Sequence, residues 1–137
     1  MHQAKGDFEV KRTPQDALDA GGGAGIGHVR FDKRFHGPLD ATSVVHMLAV
    51  GTDVPGSAAY VAIERIEGTL EGRRGSFLAQ HNGSLDRGQA SLSVTVVPDS
   101  GTGELAGLRG RMAIDIVDGA HFYTLDYALG DPAPDGD

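Results

Sequence analysis

Period-two alternation of apolar and polar residues is the feature that most constrains the fold of this chain. Together with short β-branched runs, it marks eight segments bounded by glycine, proline or aspartate, which is typical of β-strands. We predict strands at residues 6–12, 26–36, 41–50, 58–70, 73–83, 89–97, 110–117 and 121–129. Asp118 and Gly119 suit a type I′ two-residue turn, because both central residues of that turn need positive φ. The last two strands are therefore predicted to pair antiparallel.

The predicted strands follow one another with short connections and almost no helix, which indicates an antiparallel meander. A chain of 137 residues forms one domain, and closing the meander into a barrel removes its exposed edges. We therefore predict an all-β fold, an eight-stranded closed antiparallel β-barrel over residues 1–129. A barrel of about eight strands is either filled by side chains or holds one small ligand, and the pattern leaves both open.

Two stretches lie outside the predicted strands. Residues 14–19 have the composition of a helix start but run into a series of glycines, so we expect one turn of helix or an irregular loop there. Residues 130–137 have no apolar anchor, and we expect a flexible tail.

Composition and charge argue against several classes of function. The net charge of -7 disfavours nucleic-acid binding, which depends on neutralising phosphates. The chain has no cysteine, which excludes disulfides and thiolate metal sites and fits a reducing compartment. No apolar run approaches the ~20 residues of a membrane span, and the first residues lack the apolar stretch of a signal peptide. We expect a cytoplasmic protein that binds neither nucleic acid nor membrane.

Neither the histidines nor the glycine-rich stretch predicts a cofactor. The six histidines show no spacing typical of a metal site. The glycines within residues 21–27 precede a strand rather than a helix, so they do not form a dinucleotide-binding loop. We expect no metal and no cofactor.

Glu64 is a charged residue within an apolar strand. By alternation it shares a face with Tyr60, Ile66 and Leu70. If that face points inward, the carboxylate needs a partner or a raised pKa, because burying an unpaired charge is costly. If it points outward, Glu64 is exposed to solvent and Arg65 pairs with a neighbouring residue. The pattern favours neither orientation.

Three more polar side chains share strand faces with apolar residues. His81 lies on the face of Phe77, and Tyr123 and Tyr127 lie on the face of Leu125. Amphipathic side chains among apolar ones suit the wall of a cavity with a few polar anchors. Such side chains are more often ordinary core residues whose polar atoms are satisfied.

Several motifs carry a resemblance to a known family. Residues 6–11, 64–70, 75–81, 101–110 and 123–127 resemble, in this order, a bacterial family catalogued as domain of unknown function 3224. The resemblance implies an allene oxide cyclase-like, or calycin-like, barrel of eight antiparallel strands around an apolar cavity. Relatives of that barrel mostly hold a reactive hydrophobic intermediate in one conformation. The resemblance implies a fold, and it assigns no activity to individual residues.

Three hypotheses for function follow. The first is a barrel that binds a small, largely apolar molecule: Glu64 would orient it or accept a proton, His81 would donate or relay one, and Tyr123 and Tyr127 would bind a carbonyl or hydroxyl. The second is a cofactor-independent cyclase or isomerase acting on an unsaturated substrate, which requires Glu64 to meet a histidine or tyrosine inside the cavity. The third is a structural or interaction module, favoured if the barrel is solid.

The segment 58–63 is apolar on both faces, whereas a strand with a wet exterior should alternate. Both faces therefore favour burial, one inside the barrel and the other against something outside it. A symmetric homo-oligomer, most simply a dimer, is one explanation. The other is that the loop at 13–27 folds over this strand within one chain.

Overall fold

The computed structural model describes residues 1–16 and 25–130. It is a closed barrel of eight antiparallel strands in sequence order, in which the last strand pairs with the first. One short 3-10 helix, Gly103–Leu105, lies between the sixth and seventh strands, so the predicted all-β barrel is confirmed. The strands are β1 (His2–Pro14), β2 (Gly27–His36), β3 (Leu39–Gly51), β4 (Ala58–Leu70), β5 (Arg73–Asp86), β6 (Gln89–Val96), β7 (Leu108–Val117) and β8 (Ala120–Leu129).

The strand boundaries follow the alternation, with one clear exception at the start of the chain. β1 runs over His2–Pro14, whereas the pattern predicted only 6–12. Its early inward positions hold Ala4 and Gly6, so they give no strong apolar signal. A Cβ at Gly6 would stand 2.2 Å from the His36 carbonyl oxygen and 2.7 Å from the Tyr123 hydroxyl. A small residue is required here because the chain passes directly over Tyr123.

The turn between β7 and β8 has the geometry that its residues predicted. Asp118 and Gly119 both have positive φ, at 50° and 82°. By contrast, residues 17–19 of the helical turn or loop predicted over 14–19, and residues 131–137 of the tail predicted over 130–137, lie outside the described residues, while Pro14 ends β1. None of the described residues form a helix long and apolar enough to cross a membrane.

The two ends of the barrel differ in how they are filled. We call the end that carries the β2–β3 and β4–β5 turns and the connection 97–107 the closed end, and the opposite end the open end. Thr102 in that connection accepts a hydrogen bond from the backbone N–H of Ser76 at 3.0 Å, which holds the connection against β5. Apolar side chains fill the closed end almost without exposure: Leu39, Leu70, Phe77, Leu105, Leu108 and Leu125.

The seam between β6 and β7 is the least complete part of the barrel wall. These strands pair in register at Thr95 and Arg111, whereas β3 and β4 pair all the way from Leu39 to Gly51. Beyond Thr95, toward the open end, β6 and β7 have no further described residues paired in register, and a depression lined by residues of both strands, Leu92 and Ile114 among them, lies there. The inner face of the barrel is therefore exposed on this side of the open end.

Candidate functional site

A cavity of about 360 Å³ occupies the open half of the barrel. Every strand contributes to it with side chains from its inner face, and most of these are apolar. The described part of the barrel is thus solid at the closed end and hollow at the open end. The lining residues are Phe8, Val10, Phe31, Lys33, Val45, Met47, Tyr60, His81, Leu92, Ile114, Ile116 and His121.

An apolar depression of about 310 Å³ continues the cavity to the lip of the barrel. It shares Met47, Tyr60 and Leu92 with the cavity. Ala58 and Leu85 belong to its outer part, near the β3–β4 and β5–β6 turns. A mostly apolar surface therefore extends from the interior of the barrel to solvent.

Glu64 lies beneath the cavity and is completely buried, with 0% of its surface exposed. One carboxylate oxygen, Oε1, accepts hydrogen bonds from His81 Nε2 at 2.7 Å and from Lys33 Nζ at 3.3 Å. The other, Oε2, accepts one from Ser43 Oγ at 2.6 Å. Ser43 and His81 are diagonal neighbours of Glu64 on β3 and β5, within reach across the inner face of the sheet. The inward orientation is therefore the one that the chain adopts, and the carboxylate has three partners.

These partners decide the ionisation of Glu64. Burial alone would raise its pKa, because the charged form loses its hydration. The hydrogen bond from His81, the charges of Lys33 and His81 and the hydrogen bond from Ser43 outweigh burial, so the pKa of Glu64 lies below its usual value. Glu64 is therefore an ionised carboxylate that holds its neighbours in place, and it is a poor proton acceptor.

His81 connects Glu64 to Tyr60. Because an ionised carboxylate can only accept, the Nε2 of His81 carries the proton that it donates to Glu64. The other ring nitrogen, Nδ1, lies within hydrogen-bond distance of the Tyr60 hydroxyl at 3.4 Å, and the presence or absence of a proton on Nδ1 decides which of the two groups donates. Burial and the nearby charge of Glu64 raise the pKa of Tyr60, so this phenol keeps its proton. The three residues form a chain from the buried carboxylate to the cavity wall.

The position of Tyr60 depends on Gly83, the residue opposite it on β5. A Cβ at Gly83 would stand 2.3 Å from the Tyr60 ring. Only glycine leaves room for the ring to lie across this strand. The ring is thereby placed where its hydroxyl meets both His81 and the cavity.

Lys33 and Ser43 are site residues that the sequence analysis did not identify. Lys33 is 9% exposed, and its ammonium lies 4.9 Å from the ring centroid of Phe8 and 5.7 Å from that of Phe35. The signal was present, because alternation with Phe31 and Phe35 places Lys33 on the inner face of β2. Ser43 follows the same rule between two inward residues of β3.

Tyr123 and Tyr127 lie at the closed end, away from the cavity. The Tyr123 hydroxyl donates to the carbonyl oxygen of His36 at 2.9 Å and accepts from the N–H of Leu39 at 3.1 Å, so it braces the β2–β3 turn. The Tyr127 hydroxyl donates to the carboxylate of Glu71 in the β4–β5 turn. Burial, together with this bond and the charge of Glu71, raises the pKa of Tyr127 to about 12. The structure thus brings Glu64 and His81 together and leaves both tyrosines outside the site.

Within residues 1–16 and 25–130, no three histidine, aspartate or glutamate side chains are grouped so that they could hold a metal ion. Two of the described histidines, His36 and His81, each bind one carboxylate. His36, for example, pairs with Glu9 on the outer surface at 2.6 Å.

The lowered pKa of Glu64 predicts a pH dependence of stability. The folded chain holds this proton less tightly than the unfolded chain, whose glutamate has a pKa near 4.5. The stabilisation is therefore complete above that value and is lost as the pH falls through the lower, folded-state pKa. We expect the difference in free energy of unfolding between wild type and Glu64→Gln, measured in urea, to shrink as the pH falls below about 4.5. A difference that stays constant down to about pH 3 would contradict an ionised Glu64.

Comparison with known proteins leads to the same family that the motifs resemble. A family model described as "Protein of unknown function (DUF3224)" matches residues 4–127. The crystal structure of a protein of unknown function from the DUF3224 family of Shewanella oneidensis MR-1 is 46% identical in sequence, with a TM-score of 0.91. The alignment covers 96% of this chain and 99% of that one. No curated protein matches this chain.

Proposed function

Because this chain belongs to the DUF3224 family, whose function is unknown, we propose its function from the barrel itself: the cavity at the open end binds a small, largely apolar molecule. One observation carries the proposal. Leu92 and Ile116 belong to the inner face, yet 48% and 65% of their surfaces are exposed, whereas inner-face residues of the closed end are buried. A ligand that covers these side chains would remove apolar surface from water, which favours binding.

The composition of the wall fits a small-molecule site. Such sites are mostly apolar and carry a few placed polar groups, and here those groups are Lys33, Tyr60, His81 and His121. A volume of about 360 Å³ has room for about a dozen non-hydrogen atoms, at the ~30 Å³ that one water molecule occupies. We therefore place the ligand among compounds of that size, with further atoms at the lip.

A thermal-shift screen tests this proposal. The panel contains fatty acids, polyketide-like compounds and terpenoids that fit the cavity. A ligand at 100 times its Kd adds about 2.7 kcal/mol to the stability of the folded state, which corresponds to a rise in Tm of roughly 10 °C. We expect a subset of the panel to give a saturable rise. A flat response across the panel would contradict the proposal.

A cofactor-independent cyclase or isomerase is the second candidate, favoured by the chain of Glu64, His81 and Tyr60. Tyr60 lines the cavity and keeps its proton, so it is placed to donate to an oxygen of a bound substrate. This donation requires His81 to be protonated on both ring nitrogens: Nε2 donates to Glu64, and Nδ1 donates to the Tyr60 oxygen and replaces the proton that the phenol gives up. Glu64 then positions His81 and does not itself remove a proton from the substrate.

Isomerisation without a cofactor leaves the mass of the substrate unchanged. Each compound that binds is therefore incubated with the protein and separated by chromatography, to find a product of the same mass. We expect Tyr60→Phe to abolish conversion and to retain binding, while Tyr123→Phe at the closed end retains both. Conversion that survives Tyr60→Phe, or the absence of conversion for every binder, would contradict the catalytic candidate. The third hypothesis, a structural or interaction module, is favoured by a solid barrel, and the open end of this barrel is hollow.

We also propose that the chain forms a homo-oligomer, most simply a dimer, through the outer face of β3 and β4. Val61 and Ile63 point outward and are 53% and 46% exposed. Leu48, which is 37% exposed, lies directly opposite Val61. A two-fold axis through this patch would bury it against its own copy. The loop at 13–27, the alternative cover, lies partly outside the described residues.

Sedimentation at micromolar concentration tests the dimer. We expect a mass of about twice 14.3 kDa for wild type. The double variant Val61→Lys and Ile63→Lys should be monomeric, because each dimer would bury unpaired charges. Val117→Lys is the matched control, since Val117 is 54% exposed and lies elsewhere, at the β7–β8 turn. A wild-type mass near 14.3 kDa would contradict the proposal.

The absence of cysteine supports the cytoplasm as the proposed location.

A further inference from the structure

We propose that the molecule in the cavity carries a carboxylate, and that Lys33 is the residue that binds it. This inference rests on the proposed function, because it names the polar group of the apolar ligand that the cavity takes. Lys33 is a charged side chain that is only 9% exposed, and it lines the cavity wall.

Lys33 has donors to spare. An ammonium carries three N–H groups, and among the described residues Lys33 makes one hydrogen bond, to Glu64 Oε1 at 3.3 Å. That bond is longer than the ~2.7–2.9 Å typical of a charge-assisted N–H to carboxylate contact. His81 Nε2 holds the same oxygen at 2.7 Å, so Oε1 is shared and Lys33 is its weaker partner. Lys33 can therefore turn toward a second acceptor without leaving Glu64 unpaired.

The surroundings of Lys33 favour an anionic acceptor. The cavity lining includes the positive charge of Lys33 and no aspartate or glutamate, because Glu64 lies behind the wall. The Nε2 of His81 already donates to Glu64, and the Nδ1 of His81 is hydrogen-bonded to the Tyr60 hydroxyl. A ligand carboxylate would complete the hydrogen bonding of the ammonium, whereas a ligand amine would be repelled by it. The apolar part of the ligand would then extend past Val45 and Ile114 toward the lip.

Three eight-carbon compounds that differ only in their head group test this inference. Octanoate, 1-octanol and octylamine are titrated into the full-length protein by calorimetry at pH 7. We expect octanoate to bind about tenfold or more tightly than 1-octanol, in line with the strength of hydrogen bonds to charged groups, and octylamine to bind most weakly. Lys33→Met should remove the preference for octanoate, so that this variant binds octanoate no more tightly than 1-octanol. Lys11→Met, on the exposed outer face of β1, removes the same charge and should change neither.

The outcomes separate this inference from the proposed function. If octanoate and 1-octanol bind equally, if octylamine binds best, or if Lys33→Met keeps the preference for octanoate, the carboxylate and its anchor are wrong and the apolar cavity stands. If none of the three compounds binds and the thermal-shift screen is also flat, the proposed function fails. If Lys33→Met does not fold, the order in which the wild-type protein binds the three compounds still shows which head group the cavity prefers.

Discussion

Replacing Glu64 by glutamine is expected to lower the free energy of unfolding by about 3 kcal/mol or more, the cost typical of breaking a buried ion pair. The amide has no charge to offset Lys33, and its NH2 group cannot accept the bonds that the lost oxygen accepted. Because Glu64 is completely buried, water cannot replace it. Urea unfolding of the two proteins at pH 7 measures the loss.

Glu67→Gln provides the matched control, because Glu67 lies on the exposed face of the same strand. This variant should change the free energy of unfolding by about 0.5 kcal/mol or less, as expected for a surface substitution. A loss below about 1 kcal/mol for Glu64→Gln would mean that water reaches the carboxylate, and the assignment of an ionised buried centre would be wrong.

Filling the cavity is expected to abolish ligand binding while the barrel remains folded. Met47 lies on the inner face of β3 and lines both the cavity and the depression at the lip. Met47→Trp would occupy the volume proposed for the ligand. We therefore expect binding to weaken at least tenfold, which corresponds to a loss of ~1.4 kcal/mol or more in binding free energy. Stability should change little, because the indole enters existing space and displaces no packed side chain.

Thr42→Trp is the control for this substitution, since Thr42 is exposed on the outer face of the same strand. It adds the same indole to a chain that otherwise has no tryptophan, and it should leave binding intact. Its fluorescence also supplies a reference for the spectrum of an exposed indole. Full ligand binding by Met47→Trp would place the site elsewhere on the molecule.

The architecture was largely predictable because it depends on local patterns. Alternation along each strand and the turn at Asp118 and Gly119 specify pairing between neighbours in sequence, and every strand pair of the barrel except the closing pair of β1 and β8 is of this kind. The early part of β1 was missed because its inward residues, Ala4 and Gly6, are small. Neither strand's pattern predicts that β6 and β7 pair at only one position in register, because alternation specifies which face points inward and not how far a pairing extends.

The site was predictable only in part. Alternation placed Glu64 and His81 on candidate inner faces, but it left open whether those faces point inward. It also carried a signal for Lys33 that was masked by the polar residues around it. The roles of Tyr123 and Tyr127 depend on which turn each hydroxyl reaches, and the β2–β3 and β4–β5 turns lie far from these tyrosines in sequence. Such contacts arise from closure of the barrel and leave no local pattern.

The most direct test of the hollow, ligand-binding open end is nuclear magnetic resonance of the uniformly labelled protein during titration with octanoate. We expect saturable shifts at one ligand per chain, confined to residues of the open end such as Phe31, Met47 and Ile114. Leu108 and Leu125 at the closed end should keep their positions in the spectrum. Shifts that never saturate, or that fall on the outer surface or the closed end, would contradict a cavity that binds a small apolar molecule.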